Sequence, residues 1–416
     1  MSVYTQLTDD QFASFCQRFG VSFARAIPIT QGIKNSNWFI QTTDDKEGEH
    51  SYVFTLYEER PPADVEKMAV ILNQLDGKLP VAAPLAIIDS EANESEAVKT
   101  EKRYVIHYEN KGITLVPCLA GAHPQQTTQA MCHDIGAALA MLHETLQALQ
   151  PSEQYGVPLY PWTEVRDREM QFMPGDEAKL MSDIWQSYSD LPLADLPKGL
   201  CHLDMFADNT LWDLTKGHEK LTGLLDFTEV SVEHYVMDIA ITINDFCTTW
   251  GDAEQDERVH FDREKMTAFL QGYESKKTLT DNEKRALPVM LAKAAVIFWL
   301  LRLNVIHYNR TEGRTGDNIM VKNPDLMKRL AAYHWSHVEK EQNTVFVLEH
   351  ARCKDDDKNN DVEDFKLIGV FATEQQAQAA INQLKSQPGF KEYPNGFHID
   401  AYPLNQINWS SGFGCN

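Results

Sequence analysis

His202, Asp204 and Asn209 fall within eight consecutive residues, and Asp226 follows Asn209 by 17 positions. The run reads Cys201-His202-Leu203-Asp204-Met205-Phe206-Ala207-Asp208-Asn209, and later Leu224-Leu225-Asp226-Phe227. These are the groups that phosphoryl transfer from metal-bound ATP to a hydroxyl requires. One carboxylate aligns the attacking hydroxyl, while an amide and a second carboxylate hold Mg2+ or Mn2+ against the phosphates. Asp204 suits the first role; Asn209 and Asp226 suit the second. A lone D-x-x-x-x-N spacing would favour a solvated turn. The flanking apolar strands and the later Asp tip the reading toward chemistry. His202 is the second catalytic candidate, as proton acceptor or, preferably, as a support that orients the loop. Asp208 reads as a cap on the backbone of the 205–209 turn.

Positioning these groups requires a hairpin. Residues Asn209 to Leu214 and Lys220 to Asp226 alternate around Thr215-Lys216-Gly217-His218, which returns Asp226 to the neighbourhood of Asn209. Upstream, Thr8 and Gln11 form a capping box for a helix with an apolar face of Phe12, Phe15, Cys16 and Phe19. Strand patterns follow at Ser36 to Thr42 and Ser51 to Tyr57, then a helix from Pro61-Pro62 to about Gln74, then strands at Arg103 to Tyr108 and Gly112 to Leu119. Residues 1–117 therefore read as a lobe built on a mostly antiparallel sheet. Gly32 would let the backbone approach phosphates and Lys34 would add charge, so Gly32, Lys34, Asn35 and Ser36 are candidate nucleotide contacts, an ordinary turn being the alternative. The change of pattern at Pro117 to Pro124 marks a cleft suited to a nucleotide base, with Val116 and Cys118 beside it.

Residues 118–338 read as a mainly helical lobe. Gln126 to Gln150 carries a stripe of Met131, Ile135, Leu139, Leu142 and Leu146, with His143 as a satisfied polar residue at its edge. Asn244 and Asp245 are the candidate acceptor-binding residues, since an amide would meet an amino or carboxylate group and a carboxylate an ammonium. Thr280 and Glu283 cap a long helix that runs through Pro288. Residues 341–416 form a small α+β appendage: strands at Thr344 to Glu349, Phe365 to Phe371 and Phe397 to Tyr402, and a helix from Thr373. The stretch Lys354 to Asp364, with six acidic and two basic residues, reads as an exposed loop. Nothing in the appendage groups into a catalytic set, so docking, oligomerisation or regulation is expected of it.

Composition narrows the partners. The chain of 416 residues carries a formal charge of -23, which disfavours nucleic acid and anionic membrane surfaces. No signal-peptide pattern opens the chain. The most apolar segment, Pro288 to Ile306, is interrupted by Lys293 and Arg302, and its longest uncharged run, Ala294 to Leu301, is far below the roughly 20 residues that span a bilayer. Seven scattered cysteines without a C-x-x-C pair point to reduced, buried thiols in a cytoplasmic protein.

Taken together, these pieces resemble the kinase-like phosphotransferase fold shared by aminoglycoside and choline kinases. Residues 1–338 resemble, more narrowly, the homoserine kinase family with this fold. The matching stretches are Val3-Tyr4-Thr5, Gly32 to Phe39, Tyr52 to Glu58, Leu119-Ala120-Gly121, His202 to Asn209, Gly223 to Phe227 and Asp238 to Asn244. The resemblance implies a two-lobed α+β fold and transfer of the ATP γ-phosphate to the side-chain hydroxyl of L-homoserine. It also implies Asp204 as the catalytic Asp, with Asn209 and Asp226 on Mg2+. Kinases for choline, an aminosugar or another alcohol, and an inactive nucleotide-responsive protein, are the alternatives. Thr55 stands where many members of the wider fold place a phosphate-pairing Lys or Arg, and Lys34 or Arg60 are the candidates to compensate. Glu66 then has no strand cation to orient and reads as a solvated helix charge. The late helix reads Ala295-Val296-Ile297-Phe298 where the resembling family often has an Arg. The C-terminal portion resembles a small appended domain that brings no chemistry of its own.

Overall fold

The computed structural model describes residues 5–29, 35–43, 51–88, 102–215, 217–250, 259–311, 322–342, 344–353 and 362–404. The chain divides into two compact units, residues 1–332 and 333–416.

The first unit opens with helix α1 (Asp9–Arg18), started by the Thr8–Gln11 capping box. Five strands form an antiparallel sheet: β1 (Arg25–Ile29), β2 (Asn35–Gln41), β3 (Tyr52–Tyr57), β4 (Ile106–Tyr108) and β5 (Lys111–Pro117), in the order β1-β2-β3-β5-β4. Helix α2 (Pro62–Leu75) lies between β3 and β4 in sequence. β1 escaped the sequence reading because Arg25-Ala26-Ile27-Pro28-Ile29 is short and contains a proline, tolerated here on the sheet edge.

Period-two alternation sorts this sheet into two faces. Trp38, Ile40, Phe54, Leu56, Ile113 and Leu115 pack with Phe12, Phe15 and Cys16 of α1 into one core. Phe12 meets Trp38 and Phe54 edge-on at 5.1 and 5.2 Å, contacts worth about 0.5–1.5 kcal/mol each beyond area burial. The opposite face carries Asn37, Phe39, Val53, Thr55 and Val116, all half-buried, and is closed at one end by α2, where Tyr57 meets Met68.

The second lobe contains α3 (Gln129–Leu146), α4 (Trp162–Glu169), α5 (Gly175–Ser189), β6 (Lys198–Cys201), β7 (Thr210–Asp213), β8 (Lys220–Leu224), β9 (Ser231–His234) and α6 (Tyr235–Phe246). It continues through β10 (Thr248–Trp250), β11 (Val259–Phe261), α7 (Arg263–Glu274), α8 (Asp281–Thr311) and the start of α9 (Pro324–Gln342). β6 pairs with β9, and β7 with β8, in two-stranded antiparallel ribbons. By length and composition alone Asp281–His307 could cross a membrane, but Met290, Ala294, Trp299 and Leu300 are buried within the lobe. Lys293 of the same helix is buried with its amine over the Trp185 ring; burial, and secondly Arg166, push it down to about 5.

The lobes meet through the linker after β5. Ala122 pairs with Trp212, and Leu224 donates to the Pro80 carbonyl at 2.8 Å. Gly121 has φ 133°, and a Cβ there would lie 2.3 Å from Thr222 Oγ1, so the linker approaches the β7–β8 hairpin as only glycine allows.

The second unit carries β12 (Thr344–Cys353), β13 (Val362–Phe371), α10 (Glu374–Leu384) and β14 (Phe397–Pro403), with β12 central in the antiparallel order β13-β12-β14. Leu348 and Ala377 are buried, and His350 is enclosed by Phe390 and Phe397. Residues 354–361 of the acidic stretch lie outside the described residues, and Val362-Glu363-Asp364 already belong to β13.

Candidate active site

The loop after β6 owes its shape to a carboxylate that the sequence reading left without a role. Asp238, fully buried on the first turn of α6, accepts the backbone N–H groups of His202 and Leu203, each at 2.8 Å. These bonds hold Leu203 at φ 64°, a left-handed conformation that costs a non-glycine residue energy and turns the chain sharply. Burial would raise the Asp238 pKa, but the hydrogen bond from His143 and the nearby imidazoles outweigh it and hold the carboxyl below its ordinary range. His143 bonds Asp238 through Nε2 at 2.9 Å and Tyr273 through Nδ1 at 2.8 Å, so it is a buried network residue rather than the edge residue expected. His143, Cys201 and Asp238 bring potential metal-ligand atoms together. Each is already engaged in a hydrogen bond of this network or, for Cys201, with the Glu233 carbonyl.

His202 has no nitrogen available to take a substrate proton. Its Nδ1 accepts the Asp204 N–H at 3.2 Å, which fixes the tautomer, and Nε2 then donates to the Leu225 carbonyl at 3.0 Å. Burial holds its pKa below the ordinary value, against the raising effect of Asp238 and Asp226. The expectation of a catalytic His202 is therefore corrected: its two hydrogen bonds join the Asp204 and Leu225 segments of the site.

Asp204 and Asn209 are joined directly. Asn209 Nδ2 donates to the Asp204 carbonyl at 2.7 Å and to Asp204 Oδ2 at 2.9 Å, which leaves the amide oxygen as the atom suited to a hard cation. Asp226 follows β8 at φ 53°, exposed, with Oδ1 accepting from the Thr228 N–H. Burial, and secondly the charge of Asp226, push the Asp204 carboxyl up to about 8, while the Asn209 amide pulls the other way. Val53, Val116 and Phe39 on the open sheet face fit a planar apolar base.

The remaining candidates divide. Gly32 and Lys34 lie outside the described residues. Asn35 begins β2, opposite Tyr57. Thr55 lies on the cleft face and donates to Asn37 Oδ1 at 2.8 Å. Cys118 follows β5, its N–H donating to the Ser51 carbonyl at 2.9 Å. Ser36 is corrected: it is fully buried and its hydroxyl donates to Glu58, which Lys111 and Thr5 also engage, so it cannot touch a nucleotide. Asn244 is corrected too. Its amide is buried and donates to the Leu291 carbonyl at 2.9 Å, linking α6 to α8.

Asp245 has a different setting. It lines a cavity of about 520 Å³ together with Ala207, Asp208, Thr127, Lys265, Arg302 and Lys322. Its Oδ2 accepts the Ala207 N–H at 2.7 Å, which ties the pocket to the catalytic loop, and burial raises its pKa. Across from it, Arg302 donates to the Asn323 carbonyl at 2.8 Å; burial pushes it down to about 10, opposed by the charges of Asp245 and Asp208. Asp208 meets Lys322 at 2.8 Å in an exposed ion pair, not the backbone capping expected. Arg302 was missed as a site residue, although its signal was visible: a guanidinium interrupting an otherwise apolar helix.

A two-lobed fold with this carboxylate–amide–carboxylate cluster at the lobe junction defines a kinase-like phosphotransferase. Residues 25–275 match the phosphotransferase enzyme family, and the chain belongs to it. It is an ATP-dependent small-molecule kinase. The chain is 29% identical over 334 residues to a homoserine kinase of Neisseria meningitidis serogroup B, covering 79% of this chain and 98% of that protein. It is 30% identical over 313 residues to a homoserine kinase of Ralstonia pickettii, covering 73% and 87%. Among solved structures it shares the fold of an amicoumacin kinase in complex with AMP-PNP and Ca2+ (TM-score 0.53, 14% identity, 79% of this chain and 94% of that one). A microcompartment-associated aminopropanol kinase is similar at TM-score 0.51 and 16% identity, over 80% and 96%. Residues 343–413 match a domain family of unknown function, DUF7336.

Proposed function

We propose that this kinase phosphorylates the side-chain hydroxyl of L-homoserine, with Mg2+ as its divalent ion. The observation that carries the reading is the pocket beside Ala207 and Asp208, where Asp245 and Arg302 present opposite charges. A zwitterionic amino acid needs such a pair: a carboxylate for its ammonium and a guanidinium for its carboxylate. The homoserine kinase relatives support the same acceptor.

In this reading Asp204 orients the acceptor hydroxyl and takes its proton as the new O–P bond forms and the bond from the γ-phosphorus to the bridging oxygen breaks, ADP leaving with that electron pair. Asn209 Oδ1 and Asp226 would hold the ion, which when bound would supply positive charge against the negative charge developing on the transferred group. His202 keeps Asp204 and the Asp226 turn in register through its two hydrogen bonds. Asp204 would regain its basic form once the charge of Asp226, which, after burial, does most to raise its pKa, is offset by a bound divalent cation.

The test is an acceptor panel scored by ADP release and product mass: L-homoserine, an aminoalcohol lacking the carboxylate, a hydroxy acid lacking the amine, and choline. Preference for homoserine over both truncated analogues is expected. Equal turnover of the aminoalcohol would replace the amino-acid reading with a cationic-alcohol one. The C-terminal unit we assign to assembly or regulation. A chain ending at Gln342, examined by light scattering and turnover, should keep its chemistry and change its association state.

A further inference from the structure

Phosphate binding in this fold needs a cation near the metal carboxylate, and β3 offers only Thr55, whose hydroxyl is engaged by Asn37. The cations on the neighbouring elements differ in how firmly they are held. Lys111 is fixed to Glu58 and to the Thr5 hydroxyl, with the Glu58 side chain only 8% exposed. Lys67 is paired with Asp64 on the first turns of α2. Arg60, between β3 and α2, meets Glu229 of the other lobe at 3.5 Å, and both side chains are partly exposed. Such a pair is weak and exchangeable.

Its location is what matters. Glu229 ends the short 3-10 turn that Asp226 caps, three residues after Asp226 itself. Arg60 and Asp226 both act electrostatically on Tyr57, the last residue of β3. The guanidinium thus lies near both the end of β3 and the turn that Asp226 caps.

We propose that Arg60 is, among the described residues, the phosphate-binding cation: when nucleotide enters, its guanidinium leaves Glu229 and engages phosphate oxygens beside Asp226. A planar fork of donors suits this exchange, because it replaces one long carboxylate contact with paired bonds to phosphate. Glu229 then acts as a placeholder that keeps the arginine aimed across the cleft in the empty enzyme. The inference rests on nucleotide use and is independent of which alcohol accepts the phosphate.

Calorimetry on the full chain, with Mg2+ and a non-hydrolysable ATP analogue and separately with adenosine, tests it. Arg60→Ala should weaken the analogue by roughly 10- to 100-fold, the loss of a charge-assisted bidentate contact, and leave adenosine unchanged. Arg60→Lys should recover part of the loss. Glu229→Gln should bind the analogue at least as tightly as the unmodified chain. A mere latch between lobes predicts otherwise: Arg60→Ala and Glu229→Gln would weaken adenosine and analogue alike, and that result overturns the proposal. Analogue affinity within about twofold of normal in Arg60→Ala overturns it as well. Should Arg60→Ala fail to fold, the opposite responses expected of Arg60→Lys and Glu229→Gln still decide the matter.

Discussion

The backbone N–H of Leu225 donates to the carbonyl oxygen of Asn209 at 2.9 Å. This bond extends the β7–β8 pairing by one step beyond Thr210↔Leu224, so Asp226 emerges next to Asn209 despite the 17 positions between them. Asp226 then takes a left-handed conformation and caps the short turn Phe227–Glu229 that ends the ribbon.

Asp226→Ala should therefore abolish the Mg2+-dependent part of nucleotide affinity and lower turnover by roughly 10²- to 10³-fold, the scale of removing one stabiliser of transition-state charge. Calorimetry with and without metal checks it. Retained metal dependence would return Asp226 to the status of a turn residue.

Asp204→Asn preserves the volume and the hydrogen-bonding partner of Asn209 while removing the proton acceptor. Folding and nucleotide affinity should persist while acceptor phosphorylation falls by roughly 10²- to 10⁴-fold. Burst and steady-state rates with a verified acceptor separate this from a binding defect. A variant with normal turnover would remove Asp204 from the chemistry.

His202 links the site to acid stability. The folded chain holds its imidazole neutral, with a pKa below the unfolded value of about 6.5, so the unfolded state binds more protons as pH falls. Stability should be fully present above about pH 6.5 and decline below it, by up to roughly 1.4 kcal/mol per pH unit from this group. His202→Gln should lose about 1–3 kcal/mol at neutral pH, because two hydrogen bonds are disturbed, yet show a shallower acid limb. Thermal melts of both proteins from neutral to mildly acidic pH compare the slopes, and parallel slopes would refute the assignment.

The sequence made the catalytic loop legible because its chemistry is compressed into neighbouring residues and its hairpin has a local turn signal. The strand segments β2 to β5 and the two long helices followed from periodicity, whereas β1 and the order of the strands did not. What it concealed depends on contacts remote in the chain. Asp238 serves His202 and Leu203 from 35 positions or more away, and nothing around Asp238 itself announces those bonds. Ser36 and Asn244 have side chains suited to ligands, but burial gave them to Glu58 and to the α8 backbone. Arg302 was visible as a charge in an apolar helix; only the fold brings it to a pocket with Asp245.

That pocket gives the last prediction. Arg302→Ala should reduce kcat/KM for homoserine by roughly 30- to 1000-fold, or about 2–4 kcal/mol, the range for truncating one member of a desolvated charge pair. The aminoalcohol without a carboxylate should lose little, since it never met the guanidinium. Asp245→Asn should show the converse selectivity: poorer use of homoserine and of the aminoalcohol, with the amine-free hydroxy acid spared. The pattern across substrates, rather than either loss alone, separates recognition from a general disturbance of the catalytic loop through the Asp245–Ala207 bond. Uniform losses for all acceptors would assign both residues to loop support and leave the acceptor's charges to be met elsewhere.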